Sequence, residues 1–499
     1  MLDFIASLCY NFAPFTLGWL MDFSDSSLHE ECGVAAVWNV QAYNNVSDNV
    51  NDTSRILFYA LFALQHRGQE AAGMAVTDGH RIRVKKNTGL VSAAFDEKDI
   101  ASLQGFAGIG HTRYSTTGAS SLQNVQPFFI ETQYGPIALA HNGNLVNAPS
   151  LRKKLLEHGV GLSSTSDTEV MLMMLAAAKG ETWEDRILDC MKEWQGAFSF
   201  VVLTLDGIYT ARDPWGFRPL CVGSIKDEAF LVTSESCAMD TIACRDFFEV
   251  GPGEIYRINN DGITLSHTLP KQEHTASCIF EYIYFARTDT VWNNASVHVA
   301  RVNFGKSLAK NHGVKADVVI AVPDSARSSA IGFAQGTGIP YDEGLSKNRY
   351  IARTFIQPTQ KLREQGVAMK FNILPQVVSG KDVVIIDDSI VRGTTIRHLI
   401  SMLRSAGVKK IHVRIACPPL CFPCYMGVDM GGLRKLIAHG RTVEEIRAYI
   451  NADSLDFLSV EELKTALYAS GARGEYCTAC FTGKYPVDVS KTAEKDDFE

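Results

Sequence analysis

Apolar positions divide the chain into two differently patterned halves. From Cys32 to about residue 260, short apolar runs recur between polar connections: CGVAAVW, GFAGIG, GPIALAHNG, AFSFVVLT and AFLVTSE. Runs of this length read as strands, whereas TEVMLMMLAAA carries helical periodicity, so this half is expected to be stacked sheets flanked by helices. The Asn-, Asp- and Ser-rich QAYNNVSDNVNDTS is read as a surface loop. Near residue 270 the pattern changes. ADVVIAVPD, DVVIIDD and KKIHVRIACP are continuously apolar and β-branched, as in strands of a parallel sheet covered on both faces. Between the last two, Ile396, Leu399, Ile400 and Leu403 fall at i, i+3, i+4 and i+7, and Gly407 follows. That is a helix with its stop signal, and the three pieces form a βαβ unit. The fold class is α/β, with an α+β first half. The chain has no internal repeat.

At 499 residues the chain exceeds one ordinary core, and two large domains follow: 32–270 and 271–486, after a leader of residues 1–31 and before a polar, frayed tail, 487–499. A net charge of -7 gives no support to a nucleic-acid partner. No apolar run reaches membrane-spanning length. The opening residues are apolar but broken by Asp3, Pro14 and Asp22, without the basic start of a signal peptide, so the expected compartment is cytoplasmic. In that setting the twelve cysteines should be thiols, metal ligands or nucleophiles, and the sequons at Asn45 and Asn51 are discounted.

The run VVIIDDSIVRGTT, residues 383–395, joins a buried strand to a helix. Ligands of βαβ sheets bind beyond the carboxyl ends of strands. The Gly393-Thr394-Thr395 end suits a phosphate, which backbone N–H groups at a helix start can wrap. Asp387 and Asp388 would repel phosphate, but suit sugar hydroxyls or Mg²⁺. A phosphorylated ribose satisfies both ends. This string resembles the fingerprint of the type I phosphoribosyltransferases. The resemblance implies phosphoribosyl pyrophosphate as substrate, Asp387 and Asp388 on the ribose hydroxyls with Mg²⁺ nearby, and Ser389, Gly393, Thr394 and Thr395 at the 5′-phosphate. It makes VPDSARSS the pyrophosphate loop, with Ser325 a metal-side contact. The basic run from Lys347 through Arg349, Arg353, Lys361 and Arg363 to Lys370 is expected to close over pyrophosphate as a lid.

Cys32 begins a strand-like run and alone reads as an inert core thiol. Three later segments, HTRYSTTG, HNGNL and TSDTEV, change this. With EECGV, LQHRGQE and DPWGFRPL they resemble the class II glutamine amidotransferases, hydrolases with an N-terminal nucleophile built as an αββα sandwich. The resemblance implies Cys32 as the nucleophile, exposed by removal of the leader so that its own α-amino group acts as base. It implies Asn142 and Gly143 as the oxyanion hole, Arg113 on the glutamine carboxylate and Asp167 on its α-ammonium. Asp167 also lies in a capping box, Ser166-x-x-Glu169, and HNG alone could be a turn. Residues 21–31 resemble a short propeptide of this family; residues 1–20 have no counterpart in it.

CTAC, with Cys477 and Cys480, is a weak signal that leaves zinc, iron–sulfur and free thiols open. In one branch of the family that both halves resemble, four cysteines hold a structural 4Fe–4S cluster. Matching by surroundings implies Cys278, Cys424, Cys477 and Cys480, with Cys421 the competitor for Cys424. Together the two halves imply glutamine-fed amination of phosphoribosyl pyrophosphate at the start of purine synthesis. They further imply purine nucleotides as feedback inhibitors and a homotetramer. A non-enzymatic sensor of the phosphorylated sugar would explain the phosphate loop but not the glutaminase set. A different amino acceptor would leave DDSIVRGTT unexplained. FEYIYFAR, at the junction, is aromatic enough to line an ammonia passage.

Overall fold

A computed structural model of the chain describes residues 32–44, 52–114, 122–226, 228–270, 272–348 and 371–489. The leader, Asn45, Asn51, the hydroxyl residues 115–117 and the basic run from Arg349 to Lys370 lie outside these residues.

The first half stacks two antiparallel sheets. One has seven strands in the order Asp246–Glu249, Cys221–Ile225, Ala229–Thr233, Gly33–Asn39, Ala107–Arg113, Ala71–Thr77, Ile82–Thr88. The other has six: Gly262–Thr268, Glu254–Asn259, Ile208–Arg212, Gly196–Leu203, Gly135–Leu145, Phe128–Thr132. The strand Gly33–Asn39 explains why its sequence reads as unbroken apolar. Val34, Ala36 and Trp38 face the second sheet, meeting Ala138, Ala140, Val201 and Leu203. Ala35 and Val37 face the other way, onto Leu57 and Leu61 of helix Asp52–Ala63. Beyond the second sheet, Ile137, Leu139, Phe198 and Phe200 pack on helices Ala148–Glu157, Asp167–Ala177 and Trp183–Glu193. Helix, sheet, sheet, helix is the expected sandwich. The polar run after Trp38 is not all loop: Val40–Asn44 and Asp52–Ala63 are helical, with Thr53 and Ser54 fully buried.

The second half is built on a four-stranded parallel sheet, Val318–Ala321, Asp382–Asp387, Lys410–Ile415, Ser454–Phe457. Helix Thr394–Ser405 sends the predicted Ile396, Leu399, Ile400 and Leu403 into its core. Gly407 follows with φ +85°. At the other end, Val487 and Val489 pack against the cluster of Phe217 and Met426. Among the described residues, no helix is long and apolar enough to cross a membrane.

Candidate active sites

Sheet pairing sets the first site. Cys32 immediately precedes Gly33, which lies opposite Thr112, so the thiol falls beside the end of strand Ala107–Arg113. Its Sγ–H donates to the Tyr114 carbonyl at 3.4 Å. Burial pushes the thiol up to about 11, opposed by that bond and by the Arg113 charge. Arg113 and Asp167 both act electrostatically on Cys32, so the structure brings these three predicted residues together. Asp167 opens helix Asp167–Ala177, and Ser166 is its cap. The Asp167 carboxylate also accepts the Leu145 N–H at 3.0 Å, tying the helix start to the strand that carries Asn142 and Gly143. That strand reaches the seven-stranded sheet through His111, whose Nε2–H donates to the His141 carbonyl at 3.2 Å. Burial holds both His111 and His141 below the ordinary histidine range, so neither adds positive charge.

Asn142 is 1 % exposed, and among the described residues neither its amide nitrogen nor its amide oxygen has a hydrogen-bond partner. A buried amide without partners costs stability and points to a bound ligand atom as its missing acceptor. Gly143 has φ +147°, and a β-carbon there would lie 2.0 Å from the Ala197 carbonyl oxygen. Only glycine fits that backbone. The other half also touches this strand. The Asn144 side chain donates to the Tyr425 carbonyl at 2.9 Å, and Gly427 lies against the Gly143 backbone.

The second site is a cleft of about 360 Å³ at the carboxyl ends of the parallel strands. Asp387, Asp388, Ser389, Gly393, Thr395 and Ser325 all line it. Thr394 does not; it opens the helix behind the loop, after Gly393 in the left-handed region at φ +76°. Ala321 pairs with Ile386, which sets the loops holding Ser325 and Asp388 side by side. The Ser325 hydroxyl donates to Asp388, and the Ser389 hydroxyl donates to its other oxygen at 2.6 Å. Burial, and then repulsion from Asp388, drives Asp387 well above the usual carboxylate range. Burial likewise raises Asp388, against the two hydroxyls and Arg301. Two buried carboxylates and a hydroxyl are hard oxygen donors of the kind that suits Mg²⁺. Sequence reasoning missed several lining residues: His66, Arg287 and Arg301. Arg301 sits on helix Val297–His312 and donates to the Tyr282, Tyr284 and Ala286 carbonyls. Burial lowers it to about 10. Its only signal was an arginine among apolar positions. Tyr284 and Phe285 of FEYIYFAR also form part of the wall.

The four matched cysteines line one small cavity: Cys278, Cys424, Cys477 and Cys480. Cys278 pairs directly with Cys477 in a short parallel ladder. Cys421 is not in the lining; its Sγ is turned to the Ala438 carbonyl. Among the described residues, no three Cys, His, Asp or Glu close on a single ion.

A sandwich holding a thiol, an unpaired amide and a glycine donor, joined to a parallel sheet with an acidic, hydroxyl-rich loop, defines a glutamine amidotransferase coupled to a phosphoribosyl transferase. Family models agree, one for a glutamine amidotransferase domain over residues 111–241 and one for a phosphoribosyl transferase domain over 294–419. The chain belongs to the amidophosphoribosyltransferase family. It is 44% identical over 466 residues to the amidophosphoribosyltransferase of Bacillus subtilis, covering 93% of this chain and 95% of the relative. With that of Archaeoglobus fulgidus it is 47% identical over 439 residues, 87% and 95% of the two chains. A solved B. subtilis glutamine phosphoribosylpyrophosphate amidotransferase, complexed with ADP and GMP, superposes with a TM-score of 0.84 at 43% identity, over 93% of this chain and 99% of that one.

Proposed function

We propose that this chain makes 5-phosphoribosylamine from glutamine and phosphoribosyl pyrophosphate, the opening step of purine synthesis. The observation that carries the reading is a shared wall. His66, from the glutaminase half, lines the cleft that holds Asp387 and Asp388. In this reading the halves are residues 32–270 and 271–486, and Cys32 becomes the N-terminus by cleavage of the Glu31–Cys32 peptide bond.

Arg113 pairs with the glutamine carboxylate and Asp167 with its ammonium. The α-amino group takes the thiol proton as Sγ attacks the amide carbon, so no standing thiolate is needed in a site whose burial holds the thiol near 11. Asn142 and the Gly143 N–H receive the oxyanion, each such donor contributing roughly 3–4 kcal/mol. The amine returns the proton as ammonia leaves, and water then hydrolyses the thioester to glutamate. Ammonia reaches the second cleft along the buried FEYIYFAR turn, where it displaces pyrophosphate from C1 of the ribose. Ser389, Gly393 and Thr395 hold the 5′-phosphate, with the backbone N–H of Thr394 at the helix start behind them, and Asp387 and Asp388 hold the ribose hydroxyls. Mg²⁺, held by Asp387, Asp388 and Ser325, would neutralise the leaving group.

Four thiols lining one small cavity suit a 4Fe–4S cluster, with zinc the alternative. Bound there, a cluster supplies four iron–sulfur bonds tying together the segments that carry Cys278, Cys424, and Cys477 with Cys480. Purine nucleotides are the expected feedback inhibitors: they share a 5′-phosphate with the substrate, and the B. subtilis relative is complexed with ADP and GMP. We further assign a homotetramer and a cytoplasmic location, which suits the eleven free thiols of the described residues.

The test follows pyrophosphate release with glutamine and, separately, with ammonia. Cys32→Ser should lose the glutamine-driven reaction alone, and Asp388→Asn should lose both. Wild type inert with both donors would overturn the reading.

A further inference from the structure

Between the two sites lies a dry cluster of charges that the chemistry above does not use. Arg67 is fully buried. Its Nε–H donates to the Cys32 carbonyl at 3.0 Å. Its other two nitrogens fork onto Glu281 at 2.7 and 2.9 Å, and one also donates to Glu235. Both carboxylate side chains are as inaccessible as the arginine. Each then leads to the wall of the phosphoribosyl cleft. Glu281 opens the single π-helical turn Glu281–Phe285, whose Tyr284 and Phe285 line the cleft. Glu235 receives the Thr290 hydroxyl at 2.6 Å, the Arg287 backbone N–H at 3.0 Å and the His66 ring at 2.7 Å, and Arg287 and His66 also line the cleft. Arg218 lies 3.7 Å from Glu281 and donates to the Met426 carbonyl, extending the cluster to the segment beside Gly143.

A dry cluster with forked geometry has one low-energy arrangement, since breaking any pair strands a buried charge. A displacement of the cleft wall is therefore opposed at Cys32, and the converse. Neither carboxylate is offered to either substrate, so the cluster acts through geometry. We propose that Arg67, with Glu281 and Glu235, is a positioning centre that fixes the nucleophile's backbone in register with the wall through which ammonia arrives. This rests on the function proposed above. Arg67 holds the carbonyl of the same residue whose amine and thiol react, so a small rotation there misaligns both. The ties of Glu235 to Thr290, Arg287 and His66 instead keep the wall closed against the glutaminase half.

The experiment uses the full-length, processed enzyme and measures glutamate, pyrophosphate and ammonia-driven turnover. Arg67→Lys keeps the charge but loses the fork. It should lower kcat for glutamine hydrolysis by about tenfold or more, with KM for glutamine and ammonia-driven turnover each changed less than about twofold. Thr290→Val removes one hydroxyl from Glu235 at constant shape, and should leave hydrolysis near normal while glutamate formed exceeds pyrophosphate released, as ammonia escapes. Loss of both reactions in parallel with the melting temperature would reduce the cluster to a structural role and overturn the proposal. So would an Arg67→Lys enzyme with unchanged glutamine kcat. If Arg67→Lys does not fold, Thr290→Val decides alone: a strict one-to-one stoichiometry overturns the proposal. Wild type without glutamine-driven synthesis would instead defeat the underlying function.

Discussion

Asn142 carries an amide that finds no hydrogen-bond partner among the described residues, and Gly143 a backbone that other residues cannot adopt. In the function proposed above such sites trade stability for activity, because the partner they lack arrives with the substrate. Asn142→Ala should therefore lower glutamine-driven kcat by about 10²–10³-fold. It should leave the urea midpoint unchanged or raise it, since no hydrogen bond is lost. A marked fall in that midpoint would mean the amide is structural. Gly143→Ala should lose the same activity and also destabilise by about 1–3 kcal/mol or more, through the clash with the Ala197 carbonyl and the positive φ. At this scale the sequence was most readable where a short string carries a local pattern, as with Asp387 and Asp388, which line the cleft at the end of their strand. It was least readable where a polar residue acts from the core. For Arg67 and Arg301, nothing in the local string reveals that a buried partner waits more than two hundred residues away for the first, or a ring of carbonyls for the second.

Helix Thr394–Ser405 shows what periodicity reveals: all four predicted positions are buried and opposite faces are wet. Leu399→Ala should cost about 2–5 kcal/mol in a denaturant titration of the second half. It should reduce phosphate-loop function with it, since Thr395 rides on the first turn. Elements that break the periodic rule were missed for identifiable reasons. Strand Ile82–Thr88 is an edge strand in which the adjacent Lys85 and Lys86 fall on opposite faces, Lys86 turned inward to the Val125 carbonyl at 2.8 Å, so its composition resembles loop. Helix Val297–His312 has a diffuse apolar pattern because Arg301 and Gly305 occupy core positions. The ends of the Asn-rich run are helical because Thr53 and Ser54 are buried by packing that composition does not report.

Across the whole molecule, the decisive groupings come from tertiary contact. No spacing rule links Cys278 to Cys477, yet a parallel ladder sets them opposite each other, and the same fold turns Cys421 away while Cys424 faces the cavity. Accordingly, Cys424→Ser should lose iron and its visible absorbance in protein purified without oxygen, while Cys421→Ser should retain both. Equal retention in the two variants would refute the ligand set.

The contacts of Tyr425 and Gly427 with Asn144 and Gly143 carry a separate consequence. Neither half is an interchangeable cassette. A glutaminase half grafted onto a foreign acceptor enzyme would bring Cys32 and its fold but leave behind the floor under the strand of Asn142 and Gly143. Any chimera that is to hydrolyse glutamine must therefore carry residues 424–427 across the join, however far they stand from the seam in the linear chain.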